Sequence, residues 1–180
     1  MSLVGFKARN HPQQRIRDDV DDRRTPPEFF ASLHWRRGFT VDAAASDANA
    51  LLPRYWTRET NGLAQSWAGE RIWCNPPYSS IEPWLEKAWF EFERPDYGAG
   101  APAELIVMLL PANRTEQGWW QRHVEPHRER PATRCLRVEF LPGRLRFIAH
   151  DDTEIRPNQR PPFGCCLLIW GSIEEGRRAA

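Results

Sequence analysis

Lysine is nearly absent from this chain. Only Lys7 and Lys87 occur among 25 basic residues; the rest are arginine. The formal net charge is only +1, which argues against retention on a polyanion by bulk electrostatics. No run of about 18 apolar residues is present, so no membrane-spanning helix is expected. The N-terminus is polar and mixed in charge, unlike a secretory signal. Cys74, Cys135, Cys165 and Cys166 lack paired metal-ligand spacing, and the last two are adjacent in an apolar run. They read as free thiols of a reducing cytosol rather than disulfides. His123 and His127 have a spacing that suits a metal on a helix, but Pro126 between them breaks such a helix, so no metal site is expected. A glycine-rich phosphate loop, a Ser-His-Asp set and a paired-carboxylate motif are all missing.

What is present fits one domain with a real core. The chain has 180 residues and nine tryptophans, several at helical or strand spacing that marks them as core. Residues 1–22 are polar and aperiodic and read as a flexible arm. Residues 23–172 form the expected domain, and 173–180 a frayed tail. Between Arg114 and Arg146 arginines outnumber glutamates eight to four, so a local basic face is available to phosphates or to surface ion pairs.

Punctuation and periodicity place the elements. Thr25 and Pro26 predict the start of a helix that runs to Arg37 and stops at Gly38. Strands are expected at Phe39–Asp42, Arg71–Cys74, Leu105–Leu110, Thr133–Phe140, Leu145–Ala149 and Phe163–Trp170. Ser46–Gln65 reads as loop and short helix. Ile81–Glu93 has an amphipathic helical period, and Thr115–His123 reads as a helix capped by Thr115. Residues 94–102 and 150–162 read as loops. Strand–helix alternation followed by strands alone implies an α/β sandwich, parallel early and antiparallel late. Ligands in such sheets bind beyond the carboxyl ends of the strands, where Asp42, Asn75 and Pro111 all fall.

The most informative segment is Cys74-Asn75-Pro76-Pro77-Tyr78. Asn75 offers a side-chain carbonyl acceptor, and Pro76 a backbone carbonyl with no N–H of its own. Two prolines restrict the backbone and hold both acceptors stiffly. Tyr78 adds a flat face on which a base can stack. These parts can grip an exocyclic amine and the ring that carries it.

The Asn-Pro-Pro-Tyr turn resembles the catalytic motif of S-adenosylmethionine-dependent amino-group methyltransferases. The wider pattern is similar to small phage-type DNA adenine-N6 methyltransferases. It includes Thr25-Pro26-Pro27-Glu28-Phe29-Phe30, then Phe39-Thr40-Val41-Asp42-Ala43-Ala44-Ala45-Ser46, then Asn49-Ala50-Leu51. Pro53-Arg54-Tyr55-Trp56, Asn61-Gly62-Leu63-Ala64-Gln65-Ser66-Trp67 and the turn with Trp84 follow. Met108-Leu109-Leu110-Pro111-Ala112, Gly143-Arg144-Leu145-Arg146-Phe147 and the apolar run near Pro162-Phe163-Gly164 complete it. The match covers about residues 24–170, and its strength lies in the order and spacing of short motifs.

The resemblance implies a Rossmann-like methyltransferase fold of the α/β class: a mixed, mostly parallel sheet with helices on both faces and antiparallel strands toward the C-terminus. It implies methyl transfer from S-adenosylmethionine to adenine N6 in double-stranded DNA, with the base extruded into a pocket at Asn75, Pro76, Pro77 and Tyr78. It places Thr25, Pro26, Asp42, Ala43, Ala44, Asn61 and Asn75 at the cofactor. Thr25 also suits helix capping, and Asp42 also suits capping of a following helix. Phe29 and Phe30 suit either the pocket or the core. Asn61 stands where the family more often has aspartate, and Ala43-Ala44-Ala45-Ser46 where many methyltransferases have a glycine-rich loop. Arg114 suits a DNA phosphate, the cofactor carboxylate or a surface ion pair. Arg144 and Arg146 suit phosphates or plain edge charge. Loops 94–102 and 150–162 are the candidates for sequence specificity. Expected localisation is cytoplasmic, in a bacterium or a phage-infected host. Methylation of cytosine N4 or a protein glutamine, and a catalytically silent DNA-binding module, are the alternatives.

Overall fold

A computed structural model describes Asp21 and residues 23–94, 100–128, 134–148 and 163–172. The expected loops 94–102 and 150–162, the arm before Asp21 and the tail after Ser172 lie wholly or largely outside these residues. The elements are α1 (Pro27–Arg37), β1 (Val41–Asp42), β2 (Arg71–Cys74), α2 (Glu82–Glu93), β3 (Leu105–Pro111) and α3 (Gly118–His123). A short 3-10 turn (Glu125–His127), β4 (Arg134–Phe140) and β5 (Cys165–Ser172) follow. The five strands form one mixed sheet in the order β1-β2-β3-β5-β4. β1, β2 and β3 pair in parallel, while β5 runs antiparallel to both β3 and β4. The expected α/β class and the shift from parallel to antiparallel pairing both hold.

Both faces of the sheet are covered. On one, Leu105, Val107, Leu109, Leu167 and Ile169 meet Phe30 and Leu33 of α1. On the other, Ile106, Met108, Leu110, Leu168 and Trp170 meet Trp84, Leu85, Ala88 and Phe92 of α2 and Trp120 of α3. All seven residues of β3 are buried, which is why that strand reads as an unbroken apolar run rather than an alternation. Trp67, Trp73, Trp120 and Trp170 are wholly enclosed and Trp56 and Trp84 are buried, so most tryptophans serve the core. Phe30 belongs to the core and Phe29 packs against it.

Several expected boundaries move. Pro26, not Thr25, is the N-cap of α1: the Pro26 carbonyl takes the Phe30 N–H at 3.0 Å, and the Thr25 hydroxyl caps nothing. Gly38 ends α1 as expected, at φ 59° with its N–H on the His34 carbonyl. Thr115 does not cap α3. The Gln117 N–H turns back to the Arg114 carbonyl, and the helix starts one residue later, at Gly118. Residues 46–65 wind through turns with no helix. Leu145–Ala149 is not a strand among the described residues; only Ile148 makes a bridge, with Arg24. Its alternation is real, since Phe147 is buried and Arg144 and Arg146 are exposed. That alternation reports a segment lying on the core, not ladder pairing.

Candidate active site

The parallel strands β1, β2 and β3 bring their carboxyl ends to one edge of the sheet. Asp42 closes β1, Asn75 follows Cys74 at the end of β2, and Pro111 ends β3. Beyond Asp42 the Ala43 N–H still reaches the Trp73 carbonyl at 2.8 Å, which keeps the two chain ends side by side.

Asp42 is 3 % exposed and borders a small cavity of about 30 Å³ with Asp21, Arg23, Arg24, Thr25, Ala44 and Asn75. Burial raises its carboxyl pKa to about 6; the hydrogen bonds from the Leu51 and Ala44 N–H groups pull the other way and only partly offset this. The Leu51 bond is 3.2 Å long. Asp42 therefore does not act as an N-cap to a helix, since none follows it.

Around this cavity several polar atoms are buried with no partner among the described residues. They are Thr25 Oγ1, Asn75 Oδ1 and the Nε atoms of Arg23 and Arg24. Such groups each cost on the order of 1–3 kcal/mol when left unpaired, so a cluster of them marks a place where a polar ligand is expected.

Asn75 and its prolines stand next. The Pro77 carbonyl takes the Ser80 N–H at 3.1 Å and closes the turn, and Pro76 is buried. The Asn75 amide nitrogen donates to the Arg23 carbonyl at 2.7 Å. Tyr78 meets Phe147 edge-on at 6.3 Å and Phe163 at 6.1 Å. Its ring is only half-buried, yet its hydroxyl is sealed and unpartnered. Burial accordingly lifts the phenol pKa well above its usual value, with nearby Cys165 adding to the rise and Arg23 opposing it.

Tyr78 also borders a larger cleft of about 540 Å³. Tyr78, Ser79, Pro111, Arg114, Trp119 and Phe163 line it. Its volume lies within the range of about 300–1,000 Å³ usual for small-molecule sites. Arg114 thus lines this cleft, and so does Trp119, which the sequence reading did not single out.

Not every expected residue gathers here. Pro26 and Ala43 are buried next to Thr25 and Asp42 but do not border the cavity. Asn61 is exposed at φ 54°, its Oδ1 accepting from the Leu63 N–H at 3.2 Å within its own turn. It does not border the Asp42 cavity, although Gly62 beside it packs directly on Ala43. Arg144 and Arg146 are exposed on the segment that carries Phe147 and border neither cavity. The histidines part company: His123 faces Glu82 at 3.2 Å, and the His127 ring lies 4.3 Å from that of Trp89. Glu82, Glu86 and His123 bring ligand atoms within 4.8 Å of one another, but Glu82 is already paired with Arg122.

The sequence reading also missed Asp21. Its carboxylate accepts the Ser79 N–H at 2.8 Å and the Ser79 hydroxyl. No signal in a polar, aperiodic segment pointed to it. Cys74, Cys135, Cys165 and Cys166 are free thiols, and burial raises the Cys165 and Cys166 pKa values to about 12. No helix among the described residues is long and apolar enough to cross a membrane.

Two relatives share parts of this pattern. A DNA N-6-adenine-methyltransferase of Escherichia phage T1 is 36% identical over 91 residues, 49% of this chain and 35% of that protein. A DNA N-6-adenine-methyltransferase of Haemophilus phage HP1 is 32% identical over 59 residues, 33% of this chain and 34% of that protein. The chain therefore spans about a third of the length of these relatives. Residues 13–179 match the family described as DNA N-6-adenine-methyltransferase (Dam), and a match over that length, on a chain whose Asn-Pro-Pro-Tyr turn closes a parallel strand, shows that the chain belongs to this family.

Proposed function

We propose that this protein transfers a methyl group from S-adenosylmethionine to N6 of adenine in double-stranded DNA, using one domain of Rossmann-like methyltransferase fold over residues 23–172. One observation carries the reading. Asn75 Oδ1 is a buried acceptor without a partner among the described residues, on the wall of the polar cavity, and Tyr78 at the other end of the same proline turn lines the aromatic-walled cleft.

The donor set suits such a cofactor. Asp42 is an anion fit for an ammonium or a ribose hydroxyl, and Thr25, with its free hydroxyl, stands on the same cavity. Ala43 and Ala44 keep the end of β1 narrow. The space is tighter than the chemistry: about 30 Å³ holds one water-sized group, so the Arg23 and Arg24 side chains on its wall must withdraw to admit a cofactor. The bound cofactor supplies an electrophilic methyl group on a sulfonium.

The rest of the chemistry belongs to the chain. A target base leaves the stack and enters the cleft against Tyr78. Asn75 Oδ1 and the Pro76 carbonyl accept the two amine protons, which draws the nitrogen lone pair out of ring conjugation. Pro77 and the Ser80-to-Pro77 turn bond keep both acceptors in register. Orientation of this kind supplies much of the rate, and no dedicated base is needed because the proton leaves after transfer. Arg114 at the cleft and the exposed Arg144 and Arg146 are the proposed phosphate contacts.

The experiment is transfer of a labelled methyl group to unmethylated duplex DNA, followed by digestion and identification of the modified nucleoside. N6-methyladenine is expected. N4-methylcytosine would replace the substrate assignment, and no labelled DNA base would overturn the reading.

A further inference from the structure

The side-chain amide of Asn75 has a donor end and an acceptor end, and only one orientation serves an amine. With Oδ1 toward the substrate it accepts an N–H; turned over, its NH2 would meet the amine donor to donor. We infer that the short segment of Asp21, Arg23 and Arg24 is a positioning strap that selects the productive orientation of Asn75. This rests on the proposed role of Asn75 as the amine acceptor.

The Arg23 carbonyl lies 2.7 Å from the Asn75 amide. A carbonyl oxygen accepts and never donates, so the amide end facing it has to be the NH2. The orientation then follows from chemistry rather than from the placement of two similar atoms. Oδ1 is left on the other end, buried and unpartnered. The strap thus satisfies the half of the amide that the reaction does not use and leaves the useful half free.

A flexible carbonyl would select nothing, and this one is tied on both sides. Before it, the Asp21 carboxylate takes two hydrogen bonds from Ser79, which sits in the same turn as Asn75 and adjoins Tyr78. After it, Arg24 exchanges a pair of backbone bonds with Ile148, at 3.0 and 3.1 Å, next to Phe147. The strap therefore bridges the Asn-Pro-Pro-Tyr turn and the segment whose Phe147 braces Tyr78. The Arg23 guanidinium lies 5.3 Å from the Phe163 ring centre, but the anchors are a carboxylate and main-chain groups. Withdrawal of arginine side chains leaves them in place. Asp21 and Ser79 are positioning residues: neither needs to touch the reacting atoms.

The test uses the full chain carrying Asp21→Ala, Ser79→Ala or Ser79→Thr, with Asn75→Ala assayed beside them. Asp21→Ala removes both clasp bonds and is expected to lower kcat roughly 10- to 100-fold, since small misplacements of a reacting group cost rates of that order. The melting temperature should stay close to wild type, and so should the S-adenosylmethionine Kd in Ser79→Ala, which leaves the lining of the cofactor cavity intact. Ser79→Ala keeps the main-chain bond and should lose less, and Ser79→Thr, which restores the hydroxyl, should recover activity. In protein labelled with 15N-asparagine, the NH2 pair assigned to Asn75 by its loss in Asn75→Ala should shift and exchange faster with solvent in Asp21→Ala. If Asp21→Ala does not fold, Ser79→Ala and Ser79→Thr carry the same comparison. An inactive Asn75→Ala together with full kcat and an unmoved Asn75 signal in the clasp variants would overturn the strap alone. An active Asn75→Ala would instead remove the functional reading on which it rests.

Discussion

Gly62 sits directly against the main chain of Ala43: a Cβ on Gly62 would fall 2.1 Å from the Ala43 carbonyl oxygen. Backbone cannot yield as a flexible side chain can, so only glycine fits. This contact seats the Asn61–Ala64 turn on Ala43, between Asp42 and Ala44 of the cavity wall. Replacing Gly62 with Ala is expected to destabilise the fold by about 2 kcal/mol or more, as overpacking does, and to weaken cofactor binding. Chemical denaturation and calorimetry check the two effects. Unchanged values in both would show that the approach is looser than described.

Asp42 gives a pH dependence with a definite sign. Its pKa is about 6 in the folded protein, against 3.8 for the free side chain. The folded state therefore holds this proton more tightly than the unfolded chain. Stability contributed by the neutral form is fully present below the unfolded pKa and is lost as pH rises through the folded one, by about 3 kcal/mol at most. Cofactor affinity should move the opposite way, because only the ionised form attracts an ammonium. Asp42→Asn should accordingly melt at a higher temperature than wild type at pH 8, yet bind S-adenosylmethionine far more weakly and without a pH step near 6. Melting curves and binding titrations from pH 5 to 8 test both halves.

Tyr78 separates ring from hydroxyl. The hydroxyl is buried without a partner, while the ring packs on Phe147 and Phe163 and faces the cleft. Tyr78→Phe should keep activity within a few-fold and leave stability equal or slightly higher, since it removes an unsatisfied polar group. Tyr78→Ala should abolish transfer and cost about 3–5 kcal/mol, the usual effect of deleting a packed aromatic ring. A large loss of kcat in Tyr78→Phe would assign the hydroxyl a role in the chemistry.

Charge at the proposed DNA face can be read from salt. Arg144 and Arg146 are exposed and alternate with the inward-facing Leu145 and Phe147. Removing both is expected to lower the slope of log affinity against log salt by about 2 if each meets one phosphate, with cofactor affinity unchanged. An unaltered slope would return both residues to ordinary surface charge.

Much of this architecture was legible because it is local or periodic. Arg71–Cys74 was placed residue for residue, and the fully buried β3 was visible as an apolar run from Leu105 to Leu110. The edge that carries the candidate site followed from those strand ends. Leu145–Ala149 misled because alternation marks which side faces the core and not whether a neighbour strand is present. Thr25 misled because a hydroxyl before Pro-Pro looks like a cap, while here Pro26 starts the helix and the hydroxyl turns to the cavity. The link between Asp21 and Ser79 spans 58 positions and joins two polar, aperiodic segments. Nothing in pattern or propensity reports such a tie, and only the folded chain reveals it.

The central claim is that Asn75 holds the accepting amine, and one paired measurement addresses it most directly. Asn75→Ala is compared with wild type for methyl transfer to duplex DNA and, by calorimetry, for S-adenosylmethionine affinity. The account predicts that transfer to adenine disappears while cofactor affinity stays within a few-fold. Transfer at the wild-type rate in Asn75→Ala would contradict it.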